Sequence, residues 1–266
     1  MIGVFDSGYG GLHVLRGLRD RLPHYRYVYL GDNARAPYGP RSHEEIYTFT
    51  KQGVEFLFDH GVDLVVLACN TASSESLRII QADYRTQPEK KVIGVLVPFS
   101  EAAAEATRLG VIGVMATEAT VRSGAYEREI RKLRPDAHVI QQACPALVPL
   151  VESGKHETPE MKDAIESYLL PLLKRGVDTL VLGCTHYGLI EQTVRSIAGD
   201  DVRVISEKDA LEGRFERYLI RHPEIQPDNS RDSGVEFYST AAPEDFAALG
   251  SIFFGEPIIA DRVVLG

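Results

Sequence analysis

Short apolar runs alternate along the chain with longer segments whose apolar residues recur at helical spacing. Runs rich in Val, Ile and Leu fall at residues 2–8, 25–32 and 91–98, and each predicts a strand. Between them, Ser42 and Glu45 form a capping box ahead of a predicted helix. Continuous apolar runs are typical of strands buried on both faces of a parallel sheet. The alternation therefore predicts an α/β protein with mostly parallel sheets.

One of these patterns occurs twice. Residues 61–71 read GVDLVVLACNT and residues 176–186 read GVDTLVLGCTH, which are identical at six of eleven positions. Ile-Gly-Val also occurs twice, at residues 2–4 and 112–114. Two matches at nearly the same offset predict two similar open α/β domains related by a pseudo-two-fold axis, with the active site in the cleft between them.

The repeat also suggests where the domains divide. Residues 1–95 and 207–266 are predicted to form the first α/β domain, which carries Cys69, and residues 96–206 the second, which carries Cys184. The tail contains a predicted helix over 206–220 and a predicted strand, VEFYST. At about 60 residues it is short for an independent domain, so we expect it to complete the first one.

Composition narrows the function classes. The chain has 266 residues, of which 44% are hydrophobic and 25% charged, as in ordinary globular proteins. Its net charge of −9 disfavours nucleic acid and anionic membranes as partners, and no apolar run reaches the roughly 18 residues of a membrane span. Three scattered cysteines without a Cys-x-x-Cys pair predict a reducing compartment and no structural metal. The start, MIGVFDSGYGG, lacks a secretory signal pattern, which favours the cytoplasm.

Cys69 and Cys184 lie at the ends of the two repeated strands. Ligands bind at the carboxyl ends of strands in open α/β sheets, so the two thiols are predicted to face each other across one substrate. A predicted helix follows each cysteine, and its positive end is expected to lower the thiol pKa. One thiol can then remove a proton from a stereocentre while the other delivers one to the opposite face. Cys144 is predicted to be an inert buried residue.

Polar residues near the two strand ends have natural roles. Asp6 ends the first strand and is predicted to take a proton from Cys69 or to orient a substrate amine. His186 has the matching place beside Cys184, and Glu152 either pairs with His186 or is a solvated surface acid. No Lys or Arg falls within either cysteine motif. A substrate carboxylate is therefore expected to be held by backbone N–H groups at helix starts and by the side chains of Ser7, Asn70, Thr71 and Thr185.

The glycine-rich stretch DSGYGG after the first strand has three interpretations. A dinucleotide fingerprint needs a third glycine where His13 stands, so a nucleotide site is disfavoured. The glycines could instead serve only to make a tight turn. We favour the third interpretation, in which the turn brings backbone N–H groups to a carboxylate at the start of the next helix.

Several longer motifs identify a family. They are GVFDSGYGGL (3–12), YLGDNARAPYG (29–39), ACNTAS (68–73), ATEATVRSGAYE (116–127), CPALVPLVE (144–152) and LGCTHY (182–187). With these motifs the chain resembles the glutamate racemases of the aspartate/glutamate racemase superfamily over nearly its whole length. Two positions depart from the family pattern, because Asn33 replaces a threonine and Ser206 stands where the family often has Asp.

The resemblance implies a two-base interconversion of L- and D-glutamate that needs no cofactor. Cys69 would deprotonate D-glutamate with the support of Asp6, and Cys184 would deprotonate L-glutamate with the support of His186 and Glu152. The resemblance also implies that a cytoplasmic homodimer supplies D-glutamate for peptidoglycan. The substrate contacts that it implies are Asp6, Ser7, Tyr38, Gly39, Asn70, Thr71, Thr185 and His186, with Thr117 as a further candidate.

Three other functions stay open at the level of sequence. A related racemase could act on aspartate or another acidic amino acid, although the GDNARAPYG and LGCTHY motifs favour glutamate. A Cys-His hydrolase or amidotransferase would use Cys184 as nucleophile and would leave Cys69 without a role. A two-domain binding protein would close on an amino acid without converting it.

Overall fold

The computed structural model describes residues 1–211, 213–227 and 234–266. In chain order the strands and α-helices are β1 (Ile2–Asp6), α1 (Gly11–Arg21), β2 (Tyr27–Gly31), α2 (His43–Asp59), β3 (Leu64–Leu67), α3 (Asn70–Asp83), β4 (Lys91–Gly94), α4 (Leu96–Ala106), β5 (Val111–Ala116), α5 (Glu118–Ser123), α6 (Ala125–Leu133), β6 (His138–Ala143), α7 (Leu147–Glu152), α8 (Pro159–Leu173), β7 (Thr179–Gly183), α9 (Glu191–Ala198), β8 (Arg203–Ile205), α10 (Glu207–Leu211), α11 (Arg214–Arg221), β9 (Val235–Ser239), α12 (Pro243–Phe254) and β10 (Asp261–Arg262). Short 3-10 helices span Asn33–Arg35 and Thr185–Ile190.

Two parallel sheets organise the molecule, and we call each sheet with its packed helices a lobe. The sheet of the first lobe has the strand order β10-β9-β2-β1-β3-β4, and that of the second lobe has the order β6-β5-β7-β8. The order β2-β1-β3-β4 matches β6-β5-β7-β8 strand for strand, with every pair parallel. The predicted fold of two similar open α/β units is confirmed. The predicted domain limits at residues 95/96 and 206/207 stay a prediction.

The repeated residues of the sequence make the same contact in both lobes. A Cβ on Gly3 in β1 would lie 3.1 Å from a Val62 methyl, and a Cβ on Gly113 in β5 would lie 3.1 Å from a Val177 methyl. Both valines belong to the repeated Gly-Val-Asp segment. The glycine of each Ile-Gly-Val triplet therefore lies where this valine packs closely against the strand.

The prediction of a strand over 91–98 is wrong in its second half. The strand β4 ends at Gly94, and α4 begins at Leu96. An apolar run of this length fits a buried strand and a buried helix equally well. Pro98 is tolerated in α4 because the N–H groups of a first helical turn have no partner within the helix.

The single helix predicted over 206–220 is two helices, α10 and α11. Gly213 lies between them with φ of +66°, a left-handed conformation that glycine adopts without steric cost. Its neighbour Glu212 lies outside the described residues, as do residues 228–233 of the tail. Among the described residues, no helix is both long and apolar enough to cross a membrane.

Candidate active site

Both cysteines of the repeated strands open onto one cavity between the lobes. Cys69 follows β3, Cys184 follows β7, and both line the same space. Its volume is about 30 Å³, which suffices for one or two water molecules but not for an amino acid. The site must therefore widen before a substrate of that size can reach the thiols. A larger cavity of about 580 Å³ lies between α4, α6 and α11, and neither cysteine nor histidine lines it.

On the first side of the cavity, Cys69 caps a helix. Its sulfur accepts a hydrogen bond from the backbone N–H of Ala72 at 3.5 Å, in the first turn of α3. The hydroxyl of Ser7, which follows β1, lies 3.3 Å from the same sulfur. Ser7 lies beside Cys69 because β1 and β3, the strands that these residues follow, are neighbours in the sheet.

On the second side, a chain of three groups runs from sulfur to carboxylate. Cys184 Sγ lies 3.9 Å from His186 Nδ1, and His186 Nε2 lies 3.0 Å from Glu152 Oε1. Glu152 ends α7, and His186 lies in the 3-10 helix that follows β7. Of the two roles predicted for Glu152, the structure shows the pairing with His186 and not the solvated surface acid, because Glu152 contacts His186 and lines the cavity.

The expectation of lowered thiol pKa values is wrong for this closed arrangement. Burial raises the pKa of Cys69 to about 11, with the charge of Asp6 acting in the same direction. Burial also raises the pKa of Cys184 well above its ordinary value. The hydrogen bonds from Ser7 and Ala72 act to lower the pKa of Cys69, but desolvation outweighs them. Cys184 also precedes a 3-10 helix instead of an α-helix, which weakens the dipole argument on that side.

Asp6 lies beneath the cavity rather than on its wall. It is fully buried, accepts the Gly8 N–H at 2.8 Å, and accepts the Thr185 hydroxyl at 3.3 Å. Burial raises the pKa of this carboxyl, and the charge of His186 opposes that rise. In the structure the Gly8 N–H of the glycine-rich turn thus donates to the carboxylate of Asp6. The binding of a substrate carboxylate by this turn stays a prediction.

Two glycines of this turn leave room for close packing, Gly10 against the opposite lobe and Gly11 against Asp6 of the same lobe. A Cβ on Gly10 would lie 2.6 Å from the Cβ of Thr185, and one on Gly11 would lie 2.5 Å from the Cβ of Asp6. Neither distance is possible between real side chains. Close packing around Asp6 and Thr185, two residues that bond to each other across the lobes, therefore explains why these positions are glycine.

Hydroxyl groups join the lobes on the other flank of the cavity. Thr71 Oγ1, after Cys69, lies 2.9 Å from Thr117 Oγ1, which follows β5. Tyr38 and Gly39 come from the loop after β2. The Tyr38 hydroxyl donates to Asp32 of the same lobe at 2.5 Å. The Gly39 carbonyl reaches the second lobe, where it accepts the Ala119 N–H at 3.1 Å.

The cavity wall contains most of the residues that the sequence singled out. They are Ser7, Tyr38, Gly39, Cys69, Asn70, Thr71, Thr117, Glu152, Cys184, Thr185 and His186. The wall also includes residues that sequence reasoning missed, which are Gly8, Ala36, Pro37 and Val148. All four lie within motifs named from the sequence, which could have indicated them: Gly8 in DSGYGG, Ala36 and Pro37 in YLGDNARAPYG, and Val148 in CPALVPLVE. No lysine or arginine is among the described residues that line this wall.

Metal-binding clusters are absent from the described part of the chain. No group of three His, Cys, Asp or Glu side chains there is arranged to hold a metal ion. The polar side chains that line the cavity are thiols, hydroxyls, one amide, one imidazole and one carboxylate. This set is suited to proton transfer and to hydrogen bonding with an acidic substrate.

Comparison with known proteins identifies the family of this chain. The Asp/Glu/Hydantoin racemase family matches residues 12–211 of the chain. A glutamate racemase from Exiguobacterium sibiricum is 39% identical over 267 residues, covering 100% of this chain and 96% of its own length. The chain belongs to the glutamate racemase family. Another glutamate racemase, from Streptococcus suis, is also 39% identical, over 99% of this chain and 98% of its own.

Solved structures of the family have the same fold. Glutamate racemase RacE1 from Bacillus anthracis aligns with a TM-score of 0.90 at 37% identity, over 100% of this chain and 97% of its own. The Francisella tularensis enzyme, solved in complex with D-glutamate, aligns with a TM-score of 0.89 at 31% identity, over 99% of this chain and 97% of its own. An aspartate racemase from Picrophilus torridus reaches a TM-score of 0.50 at 20% identity, which shows a shared fold alone.

Proposed function

We propose that this chain interconverts L- and D-glutamate by proton transfer between the substrate α-carbon and two cysteines. The observation that supports this most is the presence of both Cys69 and Cys184 on the wall of a single cavity, each at the end of an equivalent strand. Inverting a stereocentre without turning the substrate over requires one acid–base group on each face. A hydrolase would need only one of these thiols.

The substrate assignment has two supports. The full-length relatives that the chain matches are glutamate racemases, and one solved relative at 31% identity holds D-glutamate. The likeness to aspartate racemase does not extend beyond the fold. We therefore assign glutamate over aspartate.

Because the pKa values of both thiols are raised, the mechanism needs a positive charge to favour a thiolate, and the substrate supplies it. With the lobes together, both sulfurs keep their protons at neutral pH. A glutamate α-ammonium placed between them brings a positive charge that favours a thiolate. In each turnover one cysteine first gives up its thiol proton, to His186 in the case of Cys184 and to solvent in the case of Cys69. As a thiolate it then removes the α-proton, and the other cysteine donates its thiol proton to the opposite face. Cys69 serves as base for D-glutamate and Cys184 for L-glutamate.

The two cysteines have different support for this exchange of roles. The Ser7 hydroxyl, 3.3 Å from Cys69 Sγ, stabilises a thiolate there by hydrogen bonding. On the other side, His186 at 3.9 Å from Cys184 Sγ takes up or returns the thiol proton, and Glu152 stabilises the imidazolium. Asp6 orients Thr185 beside Cys184 and its negative charge attracts the substrate ammonium.

The substrate carboxylates are held without cationic side chains. Asn70 and Thr71 present an amide and a hydroxyl group on the cavity wall, and the first turn of α3 adds backbone N–H groups. The Thr185 hydroxyl, which lines the same wall, donates its proton to Asp6. A fixed lysine or arginine would stabilise the thiolate and so hinder its reprotonation. Neutral donors avoid that cost because they leave the thiol pKa free to follow the substrate charge.

The test is incubation of the purified protein with L-glutamate in D₂O, followed by chiral separation and mass analysis. We expect D-glutamate that carries one deuterium at the α-carbon, because the proton delivered comes from a solvent-exchanged thiol. A parallel incubation with L-aspartate should give no comparable turnover. Absence of D-glutamate would refute the proposed function, and release of ammonia from glutamine would point to the amidotransferase.

The biological setting follows from the family resemblance. We propose that the chain supplies D-glutamate for peptidoglycan, that it works in the cytoplasm and that it forms a homodimer. Light scattering should give a mass near twice the 29.4 kDa of one chain. A mass of one chain at micromolar concentration would refute the dimer and would leave the chemistry of the site unaffected.

A further inference from the structure

A buried tyrosine contacts residues beside both cysteines. Tyr126 lies in α6 of the second lobe and is fully buried. Its ring packs on Gly183, the residue before Cys184, where an added Cβ would lie 3.1 Å from Tyr126 Cε2. Its hydroxyl crosses to the first lobe and donates to Asn70 Oδ1 at 2.5 Å. Asn70 is the residue after Cys69, so one side chain connects the two strand ends.

This hydrogen bond determines the orientation of the Asn70 amide. Tyr126 keeps its proton because burial raises its pKa well above the ordinary value, with the charges of Glu207 and Cys184 adding to the effect. The acceptor that the structure gives this hydroxyl is Asn70 Oδ1. The amide oxygen must therefore face Tyr126, and the amide NH₂ must face away from it.

The NH₂ group of Asn70 is left without a partner. Asn70 is 1% exposed, it lines the cavity, and its Nδ2 has no hydrogen-bond partner among the described residues. A buried donor without an acceptor is unfavourable, so such a group gains from an acceptor that enters the site. In a cavity without lysine or arginine on its wall, each neutral donor carries a larger share of the binding of an anionic substrate.

We propose that Tyr126 is a positioning residue that presents the Asn70 NH₂ group to a carboxylate of the bound amino acid. The inference deepens the proposed function and rests on it. Because Tyr126 and Asn70 belong to different lobes, the amide is held in this orientation only when the lobes are together. Substrate capture and lobe closure are then linked through one hydrogen bond.

The repeat supports this arrangement. Thr185 follows Cys184 as Asn70 follows Cys69, and the Thr185 hydroxyl also donates across the lobes, to Asp6 of the first lobe at 3.3 Å. The residue after each cysteine is thus held by a group from the opposite lobe. The two hydrogen bonds across the lobes run in opposite directions. Thr185 donates its hydroxyl proton, whereas Asn70 accepts a proton and keeps its NH₂ donors for the cavity.

The first test is Tyr126→Phe, which keeps the ring on Gly183 and removes the hydroxyl. We expect KM for L- and D-glutamate to rise about tenfold, which corresponds to the loss of one buried hydrogen bond, while kcat changes less than threefold. The control is Tyr27→Phe, which removes a buried hydroxyl that donates to the carbonyls of Leu18 and Leu22. This control should lower stability and leave KM unchanged. An unchanged KM in Tyr126→Phe would overturn the proposal.

The second test asks whether Tyr126 acts through Asn70. In an Asn70→Ala background, Tyr126→Phe should change KM by less than twofold, because the amide that it positions is no longer there. A tenfold rise in both backgrounds would show that the hydroxyl acts by another route, and would overturn the proposal.

A third measurement does not depend on turnover. The ¹⁵N signal of the Asn70 side-chain NH₂, assigned with Asn70→Asp, is recorded without substrate. We expect Tyr126→Phe to shift this signal and to speed its hydrogen exchange, and Tyr27→Phe to leave it unchanged. An unchanged Asn70 signal would overturn the positioning role even in an active enzyme. A wild-type protein that does not racemise glutamate would refute the proposed function, and this signal would still decide the role of Tyr126.

Discussion

The close contact between Gly10 and Thr185 gives a sharp test of how the lobes meet. Gly10 has φ of −61° and ψ of −33°, which alanine adopts freely, so Gly10→Ala adds only a methyl group. That methyl would lie 2.6 Å from the Cβ of Thr185 and 2.7 Å from its carbonyl carbon. Ordinary contacts between carbon atoms are about 3.5–4.0 Å, so Thr185 must move by about 1 Å.

This displacement acts directly on the catalytic geometry. Thr185 adjoins Cys184, and its hydroxyl bonds Asp6 across the lobes at 3.3 Å. A misplacement of about 1 Å costs about a hundredfold in rate. We expect kcat/KM for glutamate to fall about a hundredfold in both directions, because the equilibrium constant between enantiomers is one. Overpacking should lower the free energy of unfolding by only about 1–3 kcal/mol, since the lobes can part to relieve it.

The matched control is Gly17→Ala in the same helix. A Cβ on Gly17 would have no atom within 4 Å, and alanine is favoured over glycine inside a helix by about 1 kcal/mol. This variant should be fully active and slightly more stable. Racemase assays and thermal unfolding on both variants complete the test. A folded Gly10→Ala protein with kcat/KM within threefold of wild type would refute the claim that this contact sets the active geometry.

Three further predictions concern charge and cofactors. Burial raises the pKa of Glu207 from 4.5 to about 8, so between these pH values the folded state keeps a proton that the unfolded state has lost, and the free energy of unfolding falls by about 5 kcal/mol as the pH rises. Glu207→Gln should abolish that fall in denaturant titrations at pH 5 and 8.5, and an unchanged pH dependence would contradict this assignment. Glu152→Gln should raise the primary isotope effect on kcat/KM with α-deuterated L-glutamate and not with α-deuterated D-glutamate, because it weakens the support that His186 gives to Cys184. Equal isotope effects with both enantiomers would argue against a role of Glu152 on the Cys184 side. Exhaustive dialysis against a chelator should leave activity unchanged, and a loss that a metal or pyridoxal phosphate restores would contradict the two-cysteine account.

The sequence was most informative where the chain repeats itself. The Gly-Val-Asp segments and the Ile-Gly-Val triplets predicted two equivalent sheets, and the structure shows why, since Gly3 receives Val62 as Gly113 receives Val177. The cysteines could be placed at strand ends because a polar residue follows each apolar run. These signals are local, with spacing that follows directly from strand geometry.

Other features depend on contacts between distant segments. Tyr126 and Asn70 are 56 residues apart and belong to different lobes, so no local pattern predicts their bond. The thiol pKa values depend on burial, which outweighs the helix dipole once the lobes meet. The strand predicted over 91–98 failed because an apolar run alone does not distinguish a buried strand from the start of a buried helix.

The central claim is that each turnover needs both thiols, one to remove the α-proton and the other to deliver a proton to the opposite face. Single replacement of each cysteine tests this claim most directly. Cys69→Ala, Cys184→Ala and the control Cys144→Ala are compared for racemisation of L- and D-glutamate. Cys144 is buried and lies outside the cavity wall, with its thiol donating to the Gln142 carbonyl at 3.4 Å. The account predicts that the first two variants fold but do not racemise either enantiomer, whereas Cys144→Ala stays active. Racemisation by either Cys69→Ala or Cys184→Ala would contradict the two-base account.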